Sequence, residues 1–277
     1  MALTQRDVKF IADLILRRAA IVLDERKDYL VEARLARVAQ QLGVKNTEDL
    51  VYRLRNSPSP DLERRIIDAM TTNETYFFRD NDFYDDLRKV IIPGLIKSRE
   101  ATKTLNIWCA ACSTGQEPYS VLMLLRTQFP ELNHWRLRFI ASDLATTVLA
   151  TAKAGRYNQI EINRGLPKAM LDKFFTKEPS GSWVINEDLR RMIEFRPVNL
   201  IEAFTHFPKL DLVFLRNVLI YFSSDTKRSI MSKMGELIHP DGLLFLGKAE
   251  STLTISDVFE RKLVGQSFAY GLRAVKK

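Results

Sequence analysis

Two carboxylates carry the first chemical signal in this sequence. Asp143 ends an apolar run, Phe139-Ile-Ala-Ser-Asp143, and Glu117 follows a glycine turn in Ser113-Thr-Gly-Gln-Glu117. In an open parallel sheet, ligands bind beyond the carboxyl ends of the strands where strand order reverses, and an acid ending the second strand accepts hydrogen bonds from a ribose. The stretch Thr104-Leu-Asn-Ile-Trp-Cys-Ala-Ala-Cys-Ser-Thr-Gly-Gln-Glu-Pro-Tyr-Ser120 supplies the other parts: an apolar strand, a break at Ser113-Thr114-Gly115, and a helix start at Glu117-Pro118. Gly115 is expected to let the backbone turn closely against a ligand. This spacing predicts a nucleotide site.

The same loop selects among nucleotides. A pyrophosphate needs the three-glycine fingerprint at a helix start, and this loop has one glycine, a carboxylate, and no Gly-Lys-Ser/Thr. An adenosine attached to a cationic group fits better, and S-adenosylmethionine has a ribose, no phosphate, and a positive ammonium and sulfonium. Glu117 is expected to pair with the ammonium and to offset the positive end of the helix dipole. The alternative is a structural βα turn, with Glu117 an ordinary first-turn acid and Asp143 a helix cap.

The elements that must hold these groups are legible in outline. Thr4 with Asp7 resembles a capping arrangement before Val8, Ile11, Ala12, Ile15, Leu16 and Ala19, and Val31, Leu35, Val38 and Leu42 repeat the helical spacing. Leu50 and Leu54 continue it. Ser59-Pro60 then predicts a capped helix carrying Leu62, Ile66, Ile67 and Met70 inward. A further helix is expected toward Ile92-Pro93-Gly94. Strands are predicted at Leu105 to Ala110, Leu137 to Ser142, Met192 to Pro197, Leu210 to Leu215 and Leu243 to Gly247, with a hairpin around Val264-Gly265 between Phe259 and Leu272. The expected fold is α/β: a doubly wound, mostly parallel Rossmann-like sheet, a small all-α amino-terminal domain, and a small antiparallel β insertion. The expected boundaries are 1–72 for the helical domain, 73–96 for a linker and connecting helix, and 97–277 for the sheet domain, with the insertion near 155–191.

Bulk properties narrow the class. The chain of 277 residues has 42 Lys and Arg against 34 Asp and Glu, a net charge of +8, which favours an anionic partner. Basic pairs recur early: Arg26 with Lys27, Arg34 with Arg37, Arg53 with Arg55, Arg64 with Arg65. Cys109 and Cys112 have no second pair and no flanking histidine, so they are expected to pack as small apolar residues, with no metal. No secretory signal or membrane span is visible, and a cytoplasmic protein is expected.

Two further stretches complete the constellation: Thr71-Thr-Asn-Glu-Thr-Tyr-Phe-Phe-Arg-Asp80 between the domains, and Asp211-Leu-Val-Phe-Leu-Arg-Asn-Val-Leu-Ile-Tyr-Phe222 at a strand end. Together with the Ala111 to Ser120 loop, Ser142-Asp143, Val198-Asn-Leu200 and Pro240-Asp-Gly-Leu-Leu-Phe245, these resemble the CheR family, chemotaxis-receptor protein-glutamate O-methyltransferases that use S-adenosylmethionine. The resemblance covers essentially the whole chain. It implies methyl esters on glutamates of the cytoplasmic helical region of transmembrane chemoreceptors, with S-adenosylhomocysteine as product. It further implies that Asn73, Thr75 and Arg79 border the methionyl part of the cofactor, that Glu117 binds its ammonium, and that Asp143 holds the ribose. Asn199 and Leu200 would contact the adenine, Arg216 and Asn217 would line the remaining wall, and Arg79 and Tyr221 would lie nearest the acceptor carboxylate as catalytic residues. The turn around Lys177 to Trp183 is shorter than in members that dock a receptor pentapeptide, which argues against pentapeptide tethering. The rival reading is an S-adenosylmethionine-dependent nucleic-acid methyltransferase, but the Asn/Asp-Pro-Pro-aromatic segment common in amino-methylating enzymes is replaced here by Arg216-Asn-Val-Leu-Ile-Tyr221. No nucleic-acid partner and no direct membrane insertion are therefore expected.

Overall fold

A computed structural model describes residues 3–23, 28–252 and 255–274. Four helices come first: α1 (Gln5–Ala19), α2 (Asp28–Gln41), α3 (Thr47–Asn56) and α4 (Pro60–Met70). The capping box forms: the Asp7 amide donates to Thr4 Oγ1, and the Thr4 amide donates to Asp7 Oδ2, both at 3.2 Å. Ser59 caps α4 by accepting from the Leu62 amide. Inward faces of all four helices merge into one cluster that includes Ile11, Leu35, Leu50 and Ile66. One position of α1 differs from expectation. Leu14 is buried while Leu16 turns outward with 48% exposure, because the apolar stripe drifts along a 3.6-residue period and centres on Ile11, Leu14 and Ile15. The Arg26 and Lys27 pair lies outside the described residues.

The connecting helix outruns its expected end. It starts as α5 (Asn81–Asp86), passes through a π turn at Leu87–Ile91, and continues as α6 (Ile92–Arg99). Pro93 sits in the turn that follows the widened ladder, where its missing amide and its ring are tolerated.

The sheet domain is built on β1 (Thr104–Ala110), β2 (Arg136–Asp143), β6 (Ile193–Pro197), β7 (Leu210–Leu215), β8 (Ile238–Leu246), β9 (Phe259–Val264) and β10 (Ser267–Leu272). Their spatial order is β6-β2-β1-β7-β8-β10-β9, parallel except for β10 and β9. Order therefore reverses between β1 and β7. Alternate residues of β1 feed the two faces: Leu105, Ile107 and Cys109 join one core cluster, and Trp108 and Ala110 join the other. Cys109 and Cys112 are free and buried. Helices α7 (Gln116–Gln128), α8 (Thr146–Ala154) and Ser224–Leu237 accompany these strands. β8 begins earlier than expected, at Ile238, because a register irregularity between Leu210 and Leu212 absorbs the Pro240-Asp-Gly242 segment. Arg99 ties α6 to the amino-terminal edge of this sheet through Asp211 at 2.6 Å and a fork onto Asp241.

The insertion is a three-stranded antiparallel sheet of β3 (Arg156–Tyr157), β5 (Trp183–Ile185) and β4 (Phe175–Lys177), with β5 central. Its β4 to β5 turn, Glu178 to Ser182, falls within the segment expected around Lys177 to Trp183, whose two end residues pair across the strands.

Candidate active site

The loop after β1 is folded by backbone geometry that few residues adopt. Ala111 and Ser113 have φ of 55° and 51°, left-handed values uncommon for side chains with a Cβ. The turn aims the Ser113 amide at Asp143 Oδ2, 2.8 Å away, while the Ala145 amide donates to Asp143 Oδ1 at 3.0 Å. Asp143 is only 7% exposed. Burial pushes its carboxyl above the usual range, and the backbone amides oppose that shift. Each oxygen keeps acceptor capacity beyond its one amide. Gly115 corrects the expectation made for it. Its φ of 95° and the Ala152, Tyr119 and Tyr157 atoms that a Cβ would press against show that it serves the packing of α7, and it does not line the cavity.

Glu117 and Arg216 meet in an ion pair that the sequence reading did not foresee. Arg216, at the end of β7, donates through Nη1 to Glu117 Oε2 at 2.8 Å and through Nη2 to Asp80 Oδ2 at 2.5 Å, and lies over the Phe83 ring at 4.5 Å. It is a buried guanidinium clasped by two acids, more than a plain wall residue. The trio of Arg216, Glu117 and Asp80 retains one negative charge. Burial raises the Glu117 carboxyl, with Arg216 opposing the shift. Asn217 follows in the left-handed region at φ 58°, and its amide donates to Glu250 Oε2 at 2.6 Å. Glu250 also accepts from the Gly247 and Ile220 amides.

Ser113, Glu117, Asp143, Arg216 and Asn217 border one cavity of about 420 Å³ at the carboxyl edge of β1, β2 and β7, within the range of small-molecule sites. Asn73, Thr75, Arg79, Glu117, Asp143, Asn199, Leu200, Arg216, Asn217 and Tyr221 all line it. The helical layer supplies the facing wall through Ala19, Ile21, Val22, Leu30, Val31 and Met70. Bonds join the walls: the Val22 amide donates to the Tyr221 carbonyl at 3.0 Å, Asn199 Nδ2 to the Arg18 carbonyl at 2.8 Å, and Ser113 Oγ to the Asn73 carbonyl at 2.8 Å. The Asn199 amide group is thus engaged with the helical layer. Arg34, grouped in sequence with Arg37 as a basic pair, turns inward instead. It donates to the Met70 carbonyl at 2.7 Å and to Thr72 Oγ1 at 3.1 Å, whereas Arg37 is exposed.

Sequence reasoning missed Ser113, Asp80, Glu250 and the helical wall. An acid shortly after β8 was the available signal for Glu250. Asp80 and the wall left none, since their roles arise from contacts between distant segments.

An open sheet in this order, with a cavity at the reversal and an acid ending β2, defines a Rossmann-like nucleotide-binding domain. The family described as CheR methyltransferase, SAM binding domain, matches residues 73–266, and CheR methyltransferase, all-alpha domain, matches residues 6–71. The chain belongs to the CheR methyltransferase family and uses S-adenosylmethionine as methyl donor. It is 37% identical over 248 residues to Chemotaxis protein methyltransferase Cher2 of Pseudomonas putida, covering 88% of this chain and 90% of that one. It is 36% identical over 264 residues to Chemotaxis protein methyltransferase 1 of Pseudomonas aeruginosa, covering 94% and 95%. The cavity suits that donor: the buried Asp143 and the half-buried Glu117 line it with acceptor capacity to spare, and Arg216 beside Glu117 is already paired.

Proposed function

We propose that this protein transfers the methyl group of S-adenosylmethionine to glutamate side-chain carboxylates on the cytoplasmic helices of chemoreceptors, forming methyl esters in sensory adaptation. The observation that carries this reading is the meeting, in the lining of one cavity, of an acid pair suited to a cationic donor with Arg79 and Tyr221. Bound S-adenosylmethionine supplies a methyl group on a positively charged sulfur. Asp143 holds the ribose hydroxyls with the lone pairs its two amides leave free, and Glu117 receives the ammonium while Arg216 fixes its carboxylate. Asn73 and Thr75 border the methionyl part, and Leu200 with the backbone beside Asn199 borders the adenine. Asn217, locked by Glu250, closes the wall.

The acceptor needs no base. A glutamate with a reference pKa of about 4.3 is ionised at neutral pH. Its oxygen bonds the methyl carbon as the carbon–sulfur bond breaks, the electron pair stays on sulfur, and no proton moves. What the protein supplies is orientation, which accounts for roughly 7 to 11 kcal/mol of barrier in favourable intramolecular cases. Arg79 is the group placed to orient the carboxylate: its Nη1 reaches the Glu74 carbonyl only at 3.3 Å, a long bond that an acceptor can replace.

Among the described residues no helix is long and apolar enough to cross a membrane, and we place the enzyme in the cytoplasm, reaching receptors from that side. The β4 to β5 turn is short, so docking of a receptor-tail pentapeptide is not part of this reading. Incubation with labelled S-adenosylmethionine and chemoreceptor membranes tests the assignment. Base-labile methanol release from receptor protein is expected, and label stable to alkali in nucleic acid overturns it.

A further inference from the structure

Arg164 of the insertion reaches a residue that lines the cavity. Arg164, in the loop that follows the short helix Gln159–Asn163, donates from Nη2 to Glu74 Oε1 at 2.5 Å, and its guanidinium lies 4.6 Å from the Tyr76 ring centroid. Arg79 lies against the same ring at 5.4 Å. Two guanidiniums therefore flank one tyrosine and one glutamate, and both Glu74 and Arg79 line the cavity. The position of Arg164 is set by close packing. The next residue, Gly165, has φ of 88°, and a Cβ there would collide with the Phe77 carbonyl, so the loop is pressed onto the linker that carries Tyr76 and Arg79.

The Glu74 carboxylate is held below its usual pKa range first by Arg164 and more weakly by Arg79. It is nonetheless a surface group: the Glu74 and Arg164 side chains are 63% and 50% exposed. A pair this exposed is weakly held and exchanges easily for another carboxylate. A stacked guanidinium keeps its planar donor fork while its partner changes.

We propose that Arg164 is an acceptor-binding residue, parked on Glu74 in the free enzyme, which takes a second carboxylate flanking the methylated one on an acidic acceptor segment. Glu74 is the internal stand-in for that carboxylate. The role rests on the glutamate-acceptor reading above, and it gives the insertion a direct part in acceptor choice. Arg79 would serve the reacting carboxylate and Arg164 its neighbour, with Tyr76 setting their spacing.

Steady-state methylation of a soluble chemoreceptor cytoplasmic fragment tests this, alongside the same fragment with the acids that flank its acceptor glutamates changed to glutamine. Arg164→Gln should raise KM for the acidic fragment about tenfold, the scale of one charge-assisted hydrogen bond. It should leave the calorimetric Kd for S-adenosylhomocysteine unchanged and abolish the discrimination between the two fragments. Glu74→Gln, which frees the guanidinium, should move KM the opposite way, lowering it roughly threefold. Equal KM values for Arg164→Gln and the parent enzyme overturn the proposal, as does a rise in KM with Glu74→Gln, which marks the pair as a structural strap. Absence of any transfer by the parent enzyme overturns the glutamate reading itself and this role with it.

Discussion

Asp143 accepts two backbone amides before any ligand arrives, so removing its carboxylate both deletes the proposed ribose contact and strands the Ser113 and Ala145 donors. Asp143→Ala is expected to weaken binding of S-adenosylhomocysteine by about 1.5 to 3 kcal/mol, the range for hydrogen bonds to a charged group. Calorimetric titration of the folded variant checks this, and an unchanged affinity removes Asp143 from the ribose site. Glu117 adds a pH dependence. Its carboxyl is raised by burial, and the proposed ammonium contact needs the ionised form, so affinity is expected to be full above the raised value and to fall as pH drops through it. The acid limb of cofactor binding should accordingly start above the ordinary glutamate range and move or vanish in Glu117→Gln. Arg79→Ala should lower turnover roughly 10²-fold, comparable to loss of an oriented electrostatic contact, with an unchanged melting temperature. Full methylation by this variant would remove Arg79 from the chemistry.

At the scale of elements, the helical layer reaches into the sheet domain at points that control the site. Asp68, on α4, accepts from Thr146 Oγ1 at 3.1 Å and from the Thr147 amide at 3.2 Å, capping α8 from another part of the chain. Ala145, the residue before α8, provides no side-chain cap of its own, and it is also a donor to Asp143. Asp68→Ala is expected to cost about 1 kcal/mol of stability as a lost cap and to weaken cofactor binding through the Asp143 loop. Chemical denaturation and titration together separate the two effects. Arg34 belongs to this scale as well. Because it holds Met70 and Thr72, charge reversal there disturbs the linker and the cavity wall, so a test of an acidic partner surface belongs at Arg37, which is exposed.

For the whole molecule, the cavity lies where the helical layer covers the carboxyl edge of the sheet, so occupancy couples the two. Cofactor at about 100 times its Kd should stabilise the fold by about 2.7 kcal/mol. Hydrogen exchange should slow in residues 19–23 and 70–75 as well as in the 111–117 loop, and protection confined to the sheet loops would contradict a shared wall. Much of this architecture was legible beforehand. The strand at Leu210–Leu215, the hairpin turn at Gly265 and the Ser59 cap all follow from local periodicity and turn chemistry, which the sequence states directly. Of the ten proposed site positions, Asp143, Glu117, Arg216 and Asn217 could be read from strand ends and a helix start at the ligand edge of an open sheet, whereas Asn73, Thr75, Asn199 and Leu200 came only from the family resemblance; all ten line the cavity. Local pattern could not show that Gly115 faces Ala152 rather than a ligand, that Pro93 is carried through a widened turn, or that Arg34 turns inward. Nor could it show Arg216 clasping Glu117 and Asp80. The sequence by itself determined which elements form and which edge of the sheet holds the site, since these depend on neighbours within a few residues. Only the tertiary structure decided which charges face one another, because the distance between charges far apart in the chain is set by packing and not by spacing along it.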